Sequence, residues 1–245
     1  MEKKKMDSAE EGRTDTVLPN NQTDRRQLYE CIVFLGLIVP SMLISFFAVK
    51  TGSVSFILTA WATLARDVSL IGLVLFFLWR NGEPLTRIGW TRRTPLKEVA
   101  LGIVLFVPFY FAMALLETGF KNAGLSGAAQ QLPSFLTARG AGEMLLALLL
   151  VVVVAFAEET IFRGYLILRF RSLTGSGSIA VLASSFIFSL GHGYEGTAGV
   201  LTVGVMGMIF ALVYLWRGSL VAPMVMHFLQ DFTGILLLPL LFGNG

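Results

Sequence analysis

The chain has 245 residues, of which 55% are hydrophobic and only 14% charged, against about 25% charged in soluble domains. At a mean hydropathy of +0.72 it lacks the polar surface that a water-soluble domain of this size needs, which excludes an ordinary cytosolic enzyme and makes an integral membrane protein the default. One cysteine, Cys31, excludes a disulfide framework and a cysteine-rich zinc site, and a net charge of +3 is no argument for a nucleic-acid partner.

Residues 1–30 carry six Lys/Arg and seven Asp/Glu around Pro19, Asn20 and Asn21. That composition predicts a solvated, disordered tail. No signal peptide is expected, because the first apolar run begins only at Cys31 and no small-residue cleavage site follows it. From there the chain is a succession of apolar runs at 31–49, 57–79, 99–116, 144–169, 178–192, 198–216 and 219–241. A helix needs about 20 residues to cross the hydrocarbon. The expected fold is therefore all-α, a polytopic transmembrane helix bundle of about seven spans, with residues 31–245 as the membrane domain. Two runs are irregular. The second contains Arg66 and Asp67, so residues 53–65 could form a separate interfacial turn; the fifth, at 15 residues, is short for a full crossing. The stretch 119–142, rich in Gly, Ala, Gln and Ser, reads as an external loop with room for a short surface helix.

The basic residues set an orientation. Fourteen of the nineteen Lys/Arg fall on one side: six in the tail, five in the segment 80–97, Arg169 and Arg171 at the turn after the fourth run, and Arg217. Lys50, Lys121 and Arg139 fall on the other, and Arg66 and Arg163 lie inside runs. The excess of Lys/Arg on cytoplasmic loops predicts a cytoplasmic N-terminus and an external C-terminus, the parity that seven spans give.

Glu158, Glu159, Arg163, His192, His227 and Asp231 sit inside the apolar runs, and His192 and His227 are the only histidines. An ionised residue at the centre of a membrane helix costs about 2.5–3.5 kcal/mol on insertion scales, and such residues normally face the protein interior and carry function. Glu159 and Arg163 are four apart, on one helix face, and can neutralise each other. Glu158 is turned about 100° away and stays available. Glu158 lies 14 residues before the turn at 172–178 and His192 lies 14 residues after it, so in an antiparallel pair both rise about 21 Å and meet at one level. Gly191 and Gly193 bracket His192 and loosen the helix there. His227 and Asp231 again share a face, one turn after Pro223, which is expected to kink the helix. Counting from Ser219 leaves His227 too close to the cytoplasmic surface, and that kink or a dipping loop must make up the difference. Gly204, Gly207 and Ala211 have the spacing of a close helix approach.

A carboxylate and two imidazoles at one level can activate water and stabilise an oxyanion. Ser185 and Ser189 lie near His192 but have no third partner by spacing, so a serine nucleophile is not favoured. Two His and a carboxylate suit zinc as ligand types, yet no His-Glu-x-x-His motif is present, and the residues alone leave metal or no metal open.

The ordered motifs Glu158-Glu159-x-x-x-Arg163, Phe188-x-x-x-His192 and His227-x-x-x-Asp231 resemble the CPBP family, the type II CAAX prenyl proteases and bacteriocin-processing, Abi-like enzymes. Flanking residues agree: Gly164 after the first motif, and Gly218-Ser219-Leu220-x-x-Pro223 before the last. The resemblance covers about 140–235 and implies an intramembrane endopeptidase. It implies that Glu158 activates water with His192 beside it, and that His227 and the residue four later bind the oxyanion; Glu159 and Arg163 give structural support. Where the family often has Asn, this chain has Asp231. An ionised Asp cannot donate a hydrogen bond, so either Asp231 is protonated or it orients His227. The cofactor stays open between a divalent metal such as zinc and none. The expected partners are a peptide or membrane-protein substrate and the lipid bilayer, with no nucleic acid. A non-proteolytic immunity or scaffold protein of the same fold is the competing reading. A proton-coupled transporter is a weaker one, because no repeated halves with discontinuous helices are visible.

Overall fold

A computed structural model describes residues 20–50, 55–91, 94–127 and 136–242, with side chains in the first helix from residue 25 to 43. Among the described residues seven helices follow in order and there is no strand: α1 (Asn20–Lys50), α2 (Phe56–Arg80), α3 (Pro95–Asn122), α4 (Gly140–Thr174), α5 (Gly177–Leu190), α6 (Gly196–Arg217) and α7 (Val221–Phe242). Six of the helical stretches are long and apolar enough to cross a membrane, whereas α5 has only 14 residues. The all-α polytopic bundle read from the sequence is the observed architecture, including its short fifth member.

Every helix turns large apolar side chains outward, for example Ile32, Trp61, Phe111, Leu145, Phe186, Leu212 and Leu240. An apolar belt of this extent suits lipid rather than water. Inward, α2 buries Phe56, Ala60, Leu64, Asp67, Leu70 and Val74 at steps of three and four residues, the spacing that puts side chains on one helical face.

Two boundaries differ from the sequence reading. The disordered tail expected over 1–30 gives way to helix at Asn20, while residues 1–19 lie outside the described ones. Within this helix Glu30 is buried in ion pairs with Arg80 at 2.6 Å and Arg169 at 3.1 Å. Those pairs hold the segment against the bundle. Nor do residues 56–65 form a separate turn, while 53 and 54 lie outside the described residues. The Ser55 hydroxyl accepts from the Leu58 N–H, and the helix runs unbroken from Phe56 through Arg66 and Asp67.

The segment between α2 and α3 folds inward. Its short 3-10 turn, Leu85–Ile88, buries Ile88 completely and ends on Gly89 at φ +84°, a backbone shape that favours glycine. The Gly89 carbonyl accepts from the Leu220 N–H at 3.1 Å. A Cβ on Gly164 would lie 2.8 Å from the Ile88 carbonyl oxygen, so the absent side chain lets this turn seat on α4. The connection from α6 to α7 thus packs at the level of Gly164, well above the end of α4. This dipping connection, and no kink, gives His227 its depth. Pro223 lies in the first turn of α7, where a missing N–H costs nothing, which corrects the expected bend.

On the opposite end, α3 reaches Asn122 and α4 begins at Gly140, and residues 128–135 of the predicted loop lie outside the described ones. The Ser126 carbonyl accepts from the Ala198 N–H at 2.8 Å, pinning the loop to the first turn of α6. Within the bundle, Gly204 faces Ser189, and Gly207 faces Ser185 and Phe188, the close α5–α6 approach that their spacing predicts.

Candidate active site

α4 is the axis of the site. From Glu159 to Ile167 every residue is buried, so this stretch is enclosed by protein on all sides. Here the helix widens into a π segment, Glu159–Leu166, and α7 does the same at Phe232–Leu237. Each begins immediately after an acidic residue, Glu158 or Asp231. Such widenings recur at functional sites because they re-aim side chains at the point of insertion.

Glu159 and Glu158 part company as the spacing predicts. Glu159 is 0% exposed; its Oε1 lies 2.9 Å from Arg163 Nη1 and accepts from His227 Nδ1 at 2.8 Å. The Glu158 side chain is 14% exposed and its Oε2 lies 3.7 Å from His227 Nε2. Asp231 Oδ2 stands 3.5 Å from the same nitrogen, with its side chain 22% exposed. The imidazole of His227 therefore has Glu159 on one nitrogen, and Glu158 with Asp231 on the other. Asp231 thus stands beside the nitrogen that faces Glu158, and Glu159 holds the other.

Two aromatic rings wall the group. The Arg163 guanidinium lies 4.2 Å from the centre of Phe188 and 5.3 Å from that of Phe210, and both rings also touch His227. A cation over an aromatic face is attracted by the ring quadrupole, so these rings replace part of the hydration that Arg163 gives up. His192 packs against Phe188 with the rings tilted and their centres 5.0 Å apart, and its Nδ1 lies 3.2 Å from the Phe188 carbonyl oxygen. It lies in a turn beyond the end of α5, not within that helix. Among the described residues no ion pair joins it to Glu158. The predicted meeting at one level brings His192 to the same phenyl ring as His227 rather than into contact with the carboxylate. Gly191 and Gly193 do more than loosen the helix there; it stops.

Ser189 donates to the Phe186 carbonyl at 2.8 Å, and Ser185 Oγ is buried with no hydrogen-bond partner. The Ser189 hydroxyl serves packing. Three other side chains join the site without a motif to announce them. Trp90 Nε1 donates to Thr160 Oγ1 at 3.1 Å, fixing the residue after Glu159 to the inserted turn. Arg66 Nη2 reaches to 3.9 Å from Glu158 Oε1, and its Nε donates to Asp67 Oδ1 at 2.8 Å. Charge inside an apolar run was the available signal for Arg66 and Asp67.

A zinc ion takes three or four N, O or S ligands at about 2.0–2.3 Å. Among the described residues no three His, Cys, Asp or Glu side chains converge in such a set, so the donors as placed do not fit a bound cation.

No curated protein and no solved structure matches the chain. Residues 140–233 match the family described as type II CAAX prenyl endopeptidase, Rce1-like. The matched stretch runs from the first residue of α4 to just past Asp231 and so contains all three motifs and the π segment between the two glutamates and Leu166. The similarity to the Rce1-like type II CAAX prenyl endopeptidases thus covers the part of the chain that carries the candidate site.

Proposed function

We propose that this protein is a membrane-embedded endopeptidase of the CAAX-protease type, in which Glu158 activates the attacking water. The observation that carries the assignment is the division between the adjacent glutamates. Glu159 is sealed and engaged by Arg163 and His227, whereas the Glu158 side chain is partly exposed and its buried Oε2, which has no hydrogen-bond partner, is aimed at His227 Nε2. A gap of 3.7 Å is too wide for a direct hydrogen bond and narrow enough for one water to touch both groups.

In this reading Glu158 accepts a proton from the water as the oxygen attacks the peptide carbonyl carbon. With Nδ1–H donating to Glu159, the imidazolium form of His227 still has Nε2–H to donate to the oxyanion. His192, packed against Phe188, is the second imidazole at the substrate. Asp231 accompanies Nε2 as a charge partner. Collapse of the intermediate breaks the C–N bond, and Glu158 returns its proton to the departing amine. The substrate class to test first is a prenylated C-terminal peptide, with leader peptides and membrane-protein segments as alternatives. We further propose a cytoplasmic N-terminus.

The test uses purified protein in detergent and three quenched fluorogenic peptides: a farnesylated CAAX peptide, a leader-type peptide and a single-span membrane peptide. Glu158→Gln should melt as wild type does and lose about 10²–10⁴ in rate, the usual cost of removing a general base. Glu159→Gln should lose activity together with melting temperature. A folded Glu158→Gln enzyme at the wild-type rate would refute the assignment. Chelator should leave the rate unchanged; loss restored by added zinc would transfer water activation to a metal.

A further inference from the structure

Arg66 and Asp67 are the charged groups of the membrane interior that the three motifs leave unused. Asp67 falls on the buried stripe of α2 between Leu64 and Leu70, and its side chain is 1% exposed. Its Oδ1 holds Arg66 Nε at 2.8 Å, and its buried Oδ2 has no hydrogen-bond partner. Two ionisable side chains in mid-membrane are costly, and charged residues that merely tie a bundle together reach from one helix to another. This pair does not: its hydrogen bond joins neighbours on one helix. The ion pair by which this dyad reaches beyond α2 runs from Arg66 Nη2 to Glu158 Oε1, at 3.9 Å.

The two oxygens of Glu158 are thereby distinguished. Oε1 faces the guanidinium, and Oε2 faces His227 Nε2. We propose that Arg66, held by Asp67 through Nε, is a positioning residue that orients the Glu158 carboxylate so that Oε2 receives the proton of the attacking water. The assignment rests on the proteolytic reading above. A planar guanidinium suits the task. It presents donors in a fixed fork, so an Asp67 bond on one edge sets the direction in which the other edge points. At 29% exposure of its side chain Arg66 can adjust as substrate enters, while fully enclosed Arg163 cannot.

The test is steady-state kinetics on whichever of the three peptides the wild-type enzyme cuts. Arg66→Gln should lower kcat about tenfold to a hundredfold, the scale of losing an orienting outer-shell partner, with KM within about twofold of wild type, as expected when only transition-state alignment is lost. Arg66→Lys, which keeps the charge but not the fork, should recover part of kcat. Asp67→Asn should lower kcat in the same direction, and it decides the matter alone if Arg66→Gln fails to fold. A folded Arg66→Gln or Asp67→Asn enzyme with wild-type kcat overturns the proposal. So does a raised KM at unchanged kcat, which would make Arg66 a substrate-binding group. Glu158→Gln separates the two layers. If it is inactive while Arg66→Gln is normal, only the positioning role falls; if it is active, or if wild type cuts none of the peptides, the proteolytic reading falls as well.

Discussion

Glu159 has no exposed surface, and its Oε1 is shared by Arg163 at 2.9 Å and His227 at 2.8 Å. A buried ion pair adds little to stability when compared with an apolar pair, but removing one partner leaves an uncompensated charge and costs about 3–5 kcal/mol. Arg163→Ala should lose stability on that scale, seen as a large drop of the melting temperature in detergent. Arg163→Lys should lose less, because the charge stays while the flat contact with Phe188 and Phe210 goes. A wild-type melting profile for Arg163→Ala would show that Glu159 does not depend on it. The Glu159–Arg163 pairing was legible because it is a matter of four residues along one helix. The bond from Glu159 to His227 was not, since it joins positions 68 apart and only the packing of α7 on α4 creates it. Arg66 and Asp67 were visible as misplaced charge, but nothing along the chain points them at Glu158.

Among the elements, the turn at 85–89 has the largest leverage on the site for its size. It seats on Gly164, its Gly89 carbonyl caps the start of α7 through Leu220, and Trp90 next to it holds Thr160. A Cβ at residue 164 would meet the Ile88 oxygen at 2.8 Å and the Ile88 Cβ at 3.1 Å. Gly164→Ala should therefore displace the turn and cost about 1–3 kcal/mol, the range for overpacking a filled interior. It should also lower kcat, since Thr160 adjoins Glu159. Melting and kinetics measured on the same preparation check this, and a stable, fully active Gly164→Ala enzyme would show that the turn has room to give. The spans themselves were readable from the length of apolar runs, and even the short fifth helix was. The π segments were not. A π turn is one extra residue in a helical ladder, and the energy that retains it comes from enclosure by other helices, not from local composition. Pro223 misled for a related reason. A proline kinks a helix only from its interior, and the chain's inward dip at Gly218–Leu220 starts α7 just before it.

For the whole molecule, the ion pairs Glu30–Arg80, Glu30–Arg169, Glu83–Arg169 and Glu98–Arg217 gather Arg80, Arg169 and Arg217 at one end of the bundle. That end is the one the basic-residue count assigns to the cytoplasm. Reporter fusions at Met1 and Gly245 should report opposite sides, Met1 inside; both on one side would mean that a helix, with α5 the first suspect, does not cross. The assembly also has an order in time. α4, with Glu158 and Glu159, is synthesised before α7, and the partner of Glu159 on α7 arrives 68 residues later. Until α7 inserts, the imidazole between the two glutamates is missing and the sealed position of Glu159 is open on one side. On the proposed reading, a chain that has not yet inserted α7 therefore has no competent water site.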